Sequence, residues 1–335
     1  MKKRNLAIGL GGAVGAAIAV KMLTRAKGVE WDDVAEHVPH SENSHFTHVD
    51  GASVHYQDFG DPAKPKIILI HGYTASTYVW KTAAPLLANN DLHVIAIDLL
   101  GFGYSEKPGW FDYSIESQAR MVSRFMNRVG IGRATVIGSS YGGAVAATLA
   151  LDYPERVEKL VLVDAVCNDE LKNHPILRLA SVRGLGEVLT PFFVDSKLYL
   201  RRRMRGTLAP VNHHLIDDER IDSILRPLMA ADAHHALIAT SRNWNACRIE
   251  RDADMINQPT LIIWGEDDKV IPIRNGYKLH DSILHSRFVV LKDCGHVPQE
   301  EKSELFTELV TEFCHDRKGR IEARPGNEMR LENVS

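Results

Sequence analysis

The sequence predicts an α/β fold: a mostly parallel sheet opened by an antiparallel hairpin, with helices on both faces. Three observations carry this. Short continuous apolar runs recur along the chain, the pattern of strands buried on both faces. Helical stretches separate them, and strand–helix–strand repeats close into parallel sheets through right-handed crossovers. Ahead of both lie two alternating runs around Asp50-Gly51-Ala52, a hairpin signal.

Taken in order, the hairpin strands are His45 to Val49 and Ser53 to Phe59. The buried strands are Lys66 to Ile70, His93 to Ile97, Ala134 to Ile137, Leu160 to Val163, Thr260 to Trp264 and Phe288 to Leu291. Between and after them, Tyr78 to Ala88, Ile115 to Val129, Gly142 to Asp152, Arg274 to Leu284 and Ser303 to Cys314 read as helices. The interval from Cys167 to Asn257 breaks the alternation: it holds several helical stretches and no convincing buried strand. It reads as a helical lid inserted after the sixth strand. The expected organisation is an apolar N-terminal segment (1–28), a polar linker (29–44), a first core segment (45–166), the lid (167–257), a second core segment (258–315) and a polar tail (316–335).

Composition narrows the function. The 335 residues are 44% hydrophobic and 25% charged, as in an ordinary folded protein. With 40 basic against 43 acidic side chains, no global positive field exists to hold a nucleic acid. Four scattered cysteines without C-x-x-C, and sixteen histidines without H-E-x-x-H, give no signature of a metal site, and no cofactor motif is present.

The N-terminus combines a basic start, Lys2-Lys3-Arg4, with residues 6–20, which carry no charge. This is shorter than the ~20 residues of a membrane span, although Met22 and Leu23 extend it if Lys21 snorkels. A membrane anchor over residues 6–23 is the leading expectation. Ala17-Ile18-Ala19 also fits a small-x-small cleavage site, so export after signal removal is the alternative.

The chemistry lies in Gly138-Ser139-Ser140-Tyr141-Gly142, a G-x-S-x-G between a strand and a helix. So sharp a turn needs nearly side-chain-free positions two before and two after the serine, which selects Ser140. Ser139 would be flanked there by Ile137 and Tyr141. A serine hydroxyl needs a base oriented by a third group. Asp268, after the strand ending at Trp264, and His296, after the strand ending at Leu291, supply both at the carboxyl ends of strands.

These motifs resemble the α/β-hydrolase fold superfamily, in its serine hydrolase branch. The resemblance rests on the Ser140 elbow, on Gly265-x-x-Asp268-x-x-x-Pro272, and on Cys294-Gly295-His296-Val297-Pro298. It rests also on His71-Gly72 and on the D-x-x-G-x-G-x-S segment from Asp98 to Ser105, and it spans about Phe46 to His315. It implies that Ser140 attacks, that His296 acts as base and then acid, and that Asp268 orients the imidazole. Asp267 and Asp164 are the alternative acids. It further implies an oxyanion hole made by the backbone N–H groups of Tyr73 and Tyr141.

Asp98 and Ser105 read as turn braces, and Arg201, Arg202, Arg203 and Arg205 as a solvated helix face. The lid and the apolar N-terminus suggest hydrolysis of apolar acyl esters such as monoacylglycerols near a membrane, an arrangement similar to membrane-anchored monoacylglycerol lipases of this fold. A carbon–carbon bond hydrolase of the meta-cleavage type is the alternative, ranked lower because no partner for an acidic dienoate stands out in the lid. A non-catalytic binding protein on the same fold is the alternative from another class.

Overall fold

The computed structural model describes residues 29–173, 177–178, 181–229, 231–316 and 328–331; the expected N-terminal anchor falls outside them. Among the described residues, no helix is long and apolar enough to cross a membrane. The expected linker folds into short 3-10 turns from Trp31 to Asn43, and the Trp31 ring packs edge-on against Phe46 and Tyr104.

Strands β1 (Ser44–Val49) and β2 (Ala52–Phe59) form the expected hairpin. Asp50 and Gly51 both take positive φ, 53° and 87°, the twist-matching turn geometry that Asp-Gly favours. Strands β3 (Lys66–Ile70), β4 (His93–Ile97), β5 (Ala134–Ser139), β6 (Val157–Val163), β7 (Thr260–Gly265) and β8 (Ser286–Leu291) follow. The sheet order is β1-β2-β4-β3-β5-β6-β7-β8-β9, parallel from β4 onward. The last strand, β9 (Glu328–Leu331), pairs parallel with β8. The polar tail therefore supplies an edge strand, because a ladder at an edge is made by main-chain groups and needs no apolar side chain.

The core helices before the lid are α1 (Ala83–Ala88), α2 (Ile115–Arg128) and α3 (Tyr141–Asp152). The interval after β6 contains α4 (Leu185–Val194), α5 (Lys197–Thr207), α6 (Asp218–Leu228), α7 (Ala231–Arg242) and α8 (Cys247–Asp252). Then come α9 (Arg274–Ser282), α10 (Pro298–Glu301) and α11 (Ser303–His315). Alternation along each strand splits the core in two, since successive side chains point to opposite faces. Ile67 and Leu69 join Leu87, Phe306 and Val310 on one face. Ile68 and Ile70 join Phe125 and Val145 on the other, in a cluster that continues into the lid through Leu200 and Leu225.

One polar group ties the last core helix to the sheet. Lys159 on β6 is buried, and its Nζ donates to the carbonyls of Phe313 (2.6 Å), Cys314 (3.0 Å) and Asp316 (3.0 Å). These carbonyls close the C-terminal end of α11, where a cation also complements the helix dipole. Lys159→Met is therefore expected to cost about 1.5–3 kcal/mol in urea denaturation, the usual loss for a charged hydrogen-bond donor. Unaltered stability would mean that water replaces the amine at no cost.

Candidate active site

The turn joining β5 to α3 places Ser140 at φ 55° and ψ −118°, a sparsely populated conformation that costs about 1–3 kcal/mol. Close backbone crossing enforces it. A Cβ on Gly138 would stand 2.2 Å from the Gly142 carbonyl oxygen, and one on Gly142 would stand 2.3 Å from that of Ile70. The two glycines of the motif are thus required by contact with rigid backbone, and Ser140 is the residue at the apex.

His296 reaches Ser140 and Asp268 together. Its Nε2 lies 2.9 Å from Ser140 Oγ, and its Nδ1 lies 2.8 Å from Asp268 Oδ2. The carboxylate can only accept from Nδ1–H, which leaves Nε2 to accept the serine proton. The Asp268 side chain has no solvent exposure, and its Oδ1 accepts from the N–H groups of Val270 (2.7 Å) and Ile271 (3.0 Å). Asp267 is exposed, so it is not the partner of the imidazole.

Asp164 lies behind this relay. One oxygen each of Asp164 and Asp268 and one nitrogen of His296 sit within 4.8 Å of one another. Asp268 is hydrogen-bonded to His296, and His296 to Ser140, so the cluster belongs to the relay. Asp164 Oδ1 accepts from the Gly265 N–H (3.0 Å), while Oδ2 has no hydrogen-bond partner among the described residues. Burial, and then the nearby Asp268 charge, raise its pKa well above the ordinary aspartate value.

Two further supports orient the site. His71 is fully buried; its Nδ1–H donates to the Gly72 carbonyl (2.8 Å), and Nε2 accepts from the Leu99 N–H (3.1 Å). Burial lowers its pKa, keeping the ring neutral. The strip it holds faces the nucleophile, since a Cβ on Gly72 would stand 3.1 Å from Ser140 Cβ. Next along this strip, the Tyr73 hydroxyl donates to the Leu237 carbonyl (2.9 Å) and pairs with Ser241 Oγ (3.0 Å), both on α7; burial pushes its pKa up to about 12.

The second support, Glu301, escaped sequence reasoning because it sits in the acidic run Glu300-Glu301, which reads as surface. It is buried. Its carboxylate accepts from the N–H of Gly295 (3.0 Å), the N–H of Ala209 (2.8 Å) and Asn212 Nδ2 (2.9 Å), while the His296 N–H donates to the Thr207 carbonyl (2.8 Å).

Asp98 and Ser105 are turn braces, as expected. Asp98 accepts from His55 Nδ1 (2.7 Å), the Tyr104 N–H (2.9 Å) and the Thr77 N–H (2.6 Å), and Ser105 Oγ donates to the Asp98 carbonyl (2.6 Å).

A cleft of about 500 Å³ opens over Ser140 and His296. Leu171, Met204, Ile224, Trp244 and Val297 give it an apolar lining. Arg220 and Arg203 also face it. Arg220 pairs with Glu300 at 2.8 Å, both side chains nearly fully buried. The expected solvated arginine face needs correction at one residue. Arg201 pairs with Asp218, and Arg202 and Arg205 are exposed, but Arg203 turns into the cleft. The periodicity of α5 explains this, because Arg203 lies one turn after Tyr199 on the cleft-lining side.

The raised pKa of Asp164 has a pH signature. The folded chain keeps a proton that the unfolded chain releases above about pH 4. The penalty is absent below that pH, grows as pH rises, and saturates above the raised folded value. Asp164→Asn should therefore gain stability relative to wild type as pH rises from about 4 toward 8, read by urea denaturation. A constant difference across that range would rule out the protonated carboxyl.

Known proteins share this geometry's framework. The family model of the alpha/beta hydrolase fold matches residues 65–209 and 218–303. The 2-hydroxy-6-oxo-2,4-heptadienoate hydrolase of Pseudomonas putida is 28% identical over 273 residues, covering 78% of this chain and 93% of that protein. A solved meta-cleavage product hydrolase from Pseudomonas fluorescens has a TM-score of 0.67 at 27% identity, covering 81% of this chain and 97% of its own. A membrane phospholipase A of known structure has a TM-score of 0.66 at 25% identity, covering 93% of this chain and 98% of its own. The chain belongs to the α/β-hydrolase fold family and is a hydrolase.

Proposed function

We propose that this hydrolase attacks a carbonyl carbon with Ser140 and proceeds through an acyl-enzyme. The observation that carries this is the pair of hydrogen bonds joining Ser140 Oγ, His296 and Asp268 at 2.9 and 2.8 Å. As Ser140 Oγ bonds to the carbonyl carbon, its proton passes to His296 Nε2. The oxyanion forms against the backbone N–H groups of Tyr73 and Tyr141, the second of which opens α3 where the helix dipole favours negative charge. Collapse of the intermediate breaks the bond to the leaving group, which takes the proton from His296. Water, deprotonated by the same imidazole, then releases the acid and restores Ser140.

The bond broken is where two readings diverge. In carbon–carbon hydrolysis the leaving atom that takes the proton is a carbon stabilised as an enolate; in ester hydrolysis it is an oxygen. The names of two of the three relatives support the carbon–carbon reading of the meta-cleavage type, which we place first. Ester hydrolysis takes second place. It is favoured by the apolar cleft and by the phospholipase match over 93% of the chain. Membrane attachment through residues 6–23 belongs to the second reading.

Ser140→Ala should lower turnover at least a thousandfold on any substrate while the fold is kept, and wild type should be labelled by a fluorophosphonate at Ser140. Absence of both would leave a binding protein on a hydrolase fold. Asp268→Asn should cost roughly 10³–10⁴ in kcat, against little change for Asp267→Asn. An oxo-dienoate compared with monoacylglycerols as substrates separates the two bond classes by which one gives Ser140-dependent product. Deleting residues 1–28 should move the protein from the membrane to the soluble fraction of a lysate, and unchanged partition would remove the anchor.

A further inference from the structure

Arg203 differs from Arg220, with which it lines the cleft, and from its neighbour Arg201 on α5. Among the described residues it has no carboxylate within ion-pair distance, whereas Arg201 pairs with Asp218 and Arg220 with Glu300. Its guanidinium uses one visible hydrogen bond, to Thr74 Oγ1 at 3.1 Å, out of five donors. The hydroxyl-bearing rings of Tyr199 and Tyr73 are its other electrostatic neighbours, and burial lowers its pKa. A partly desolvated cation without a counter-charge is a standing cost unless an anion enters.

Its position matters as much as its charge. Thr74 directly follows Tyr73, on the strip that faces Ser140. A group held by Arg203 therefore sits on the oxyanion side of the nucleophile, inside the same cleft. The apolar walls exclude water around it and strengthen the attraction.

We propose that Arg203 binds an oxyanion carried by the substrate, a carboxylate or a phosphate, and so sets the enzyme's preference for acidic substrates. This rests on the serine-hydrolase reading above and adds a specificity group to it. It also supplies the lid partner for an acid group that the sequence alone did not single out.

The test compares matched charged and neutral substrates. An oxo-dienoic acid against its methyl ester forms the carboxylate arm; lysophosphatidate against the monoacylglycerol of the same chain forms the phosphate arm. For Arg203→Met, the charged-to-neutral ratio of kcat/KM should fall about 10- to 100-fold in one arm, mainly through KM, with Arg203→Lys between it and wild type. The arm that responds identifies the source of the anion. Equal loss on both members of both pairs would make Arg203 a structural residue and overturn the proposal.

If none of these substrates is turned over in a Ser140-dependent way, the functional reading fails and binding decides the inference. Glutarate or glycerol 3-phosphate should then raise the Tm of wild type and not that of Arg203→Met. No shift with either anion in wild type would overturn the proposal.

Discussion

Everything in the site depends on one close backbone crossing, where β5 turns into α3. With Gly138 and Gly142 stripped of side chains, strand and helix approach until carbonyl oxygens occupy the places that Cβ atoms would take. The strained Ser140 dihedrals follow from that approach. The sheet supplies the force that holds them, because β5 lies between β3 and β6 in the middle of the parallel array and is buried throughout. A strained residue persists only where its surroundings over-determine it.

A second level of organisation is ionic. The buried carboxylate of Glu301 gathers donors from the loop bearing His296 and from the segment just beyond α5. The base and the lid therefore share one anchor. His71 does the corresponding work for the strip facing Ser140, through two hydrogen bonds that fix its tautomer.

Much of this was legible in the sequence, and the exceptions have physical reasons. The buried strands, the hairpin and the serine elbow could be read because each follows from local rules: alternation, turn chemistry and glycine spacing. Asp268 was separable from Asp267 by its spacing to Pro272, and its burial agrees. Glu301 and Arg203 could not be read, because a charged residue in a charged run looks solvated until tertiary packing covers it. Strand β9 was illegible for a related reason: edge pairing uses main-chain groups, which leave no mark in composition. The bond that is broken is not legible either, since motifs that specify a nucleophile say nothing about the atom that leaves.

The Tyr73 hydroxyl joins two parts of the chain that lie far apart in sequence. It is tethered to the Leu237 carbonyl and to Ser241 on α7, while its backbone belongs to the strip beside the nucleophile. Any displacement of α7 therefore pulls on the strip that faces Ser140. The helix and the strip therefore cannot shift independently without giving up these hydrogen bonds.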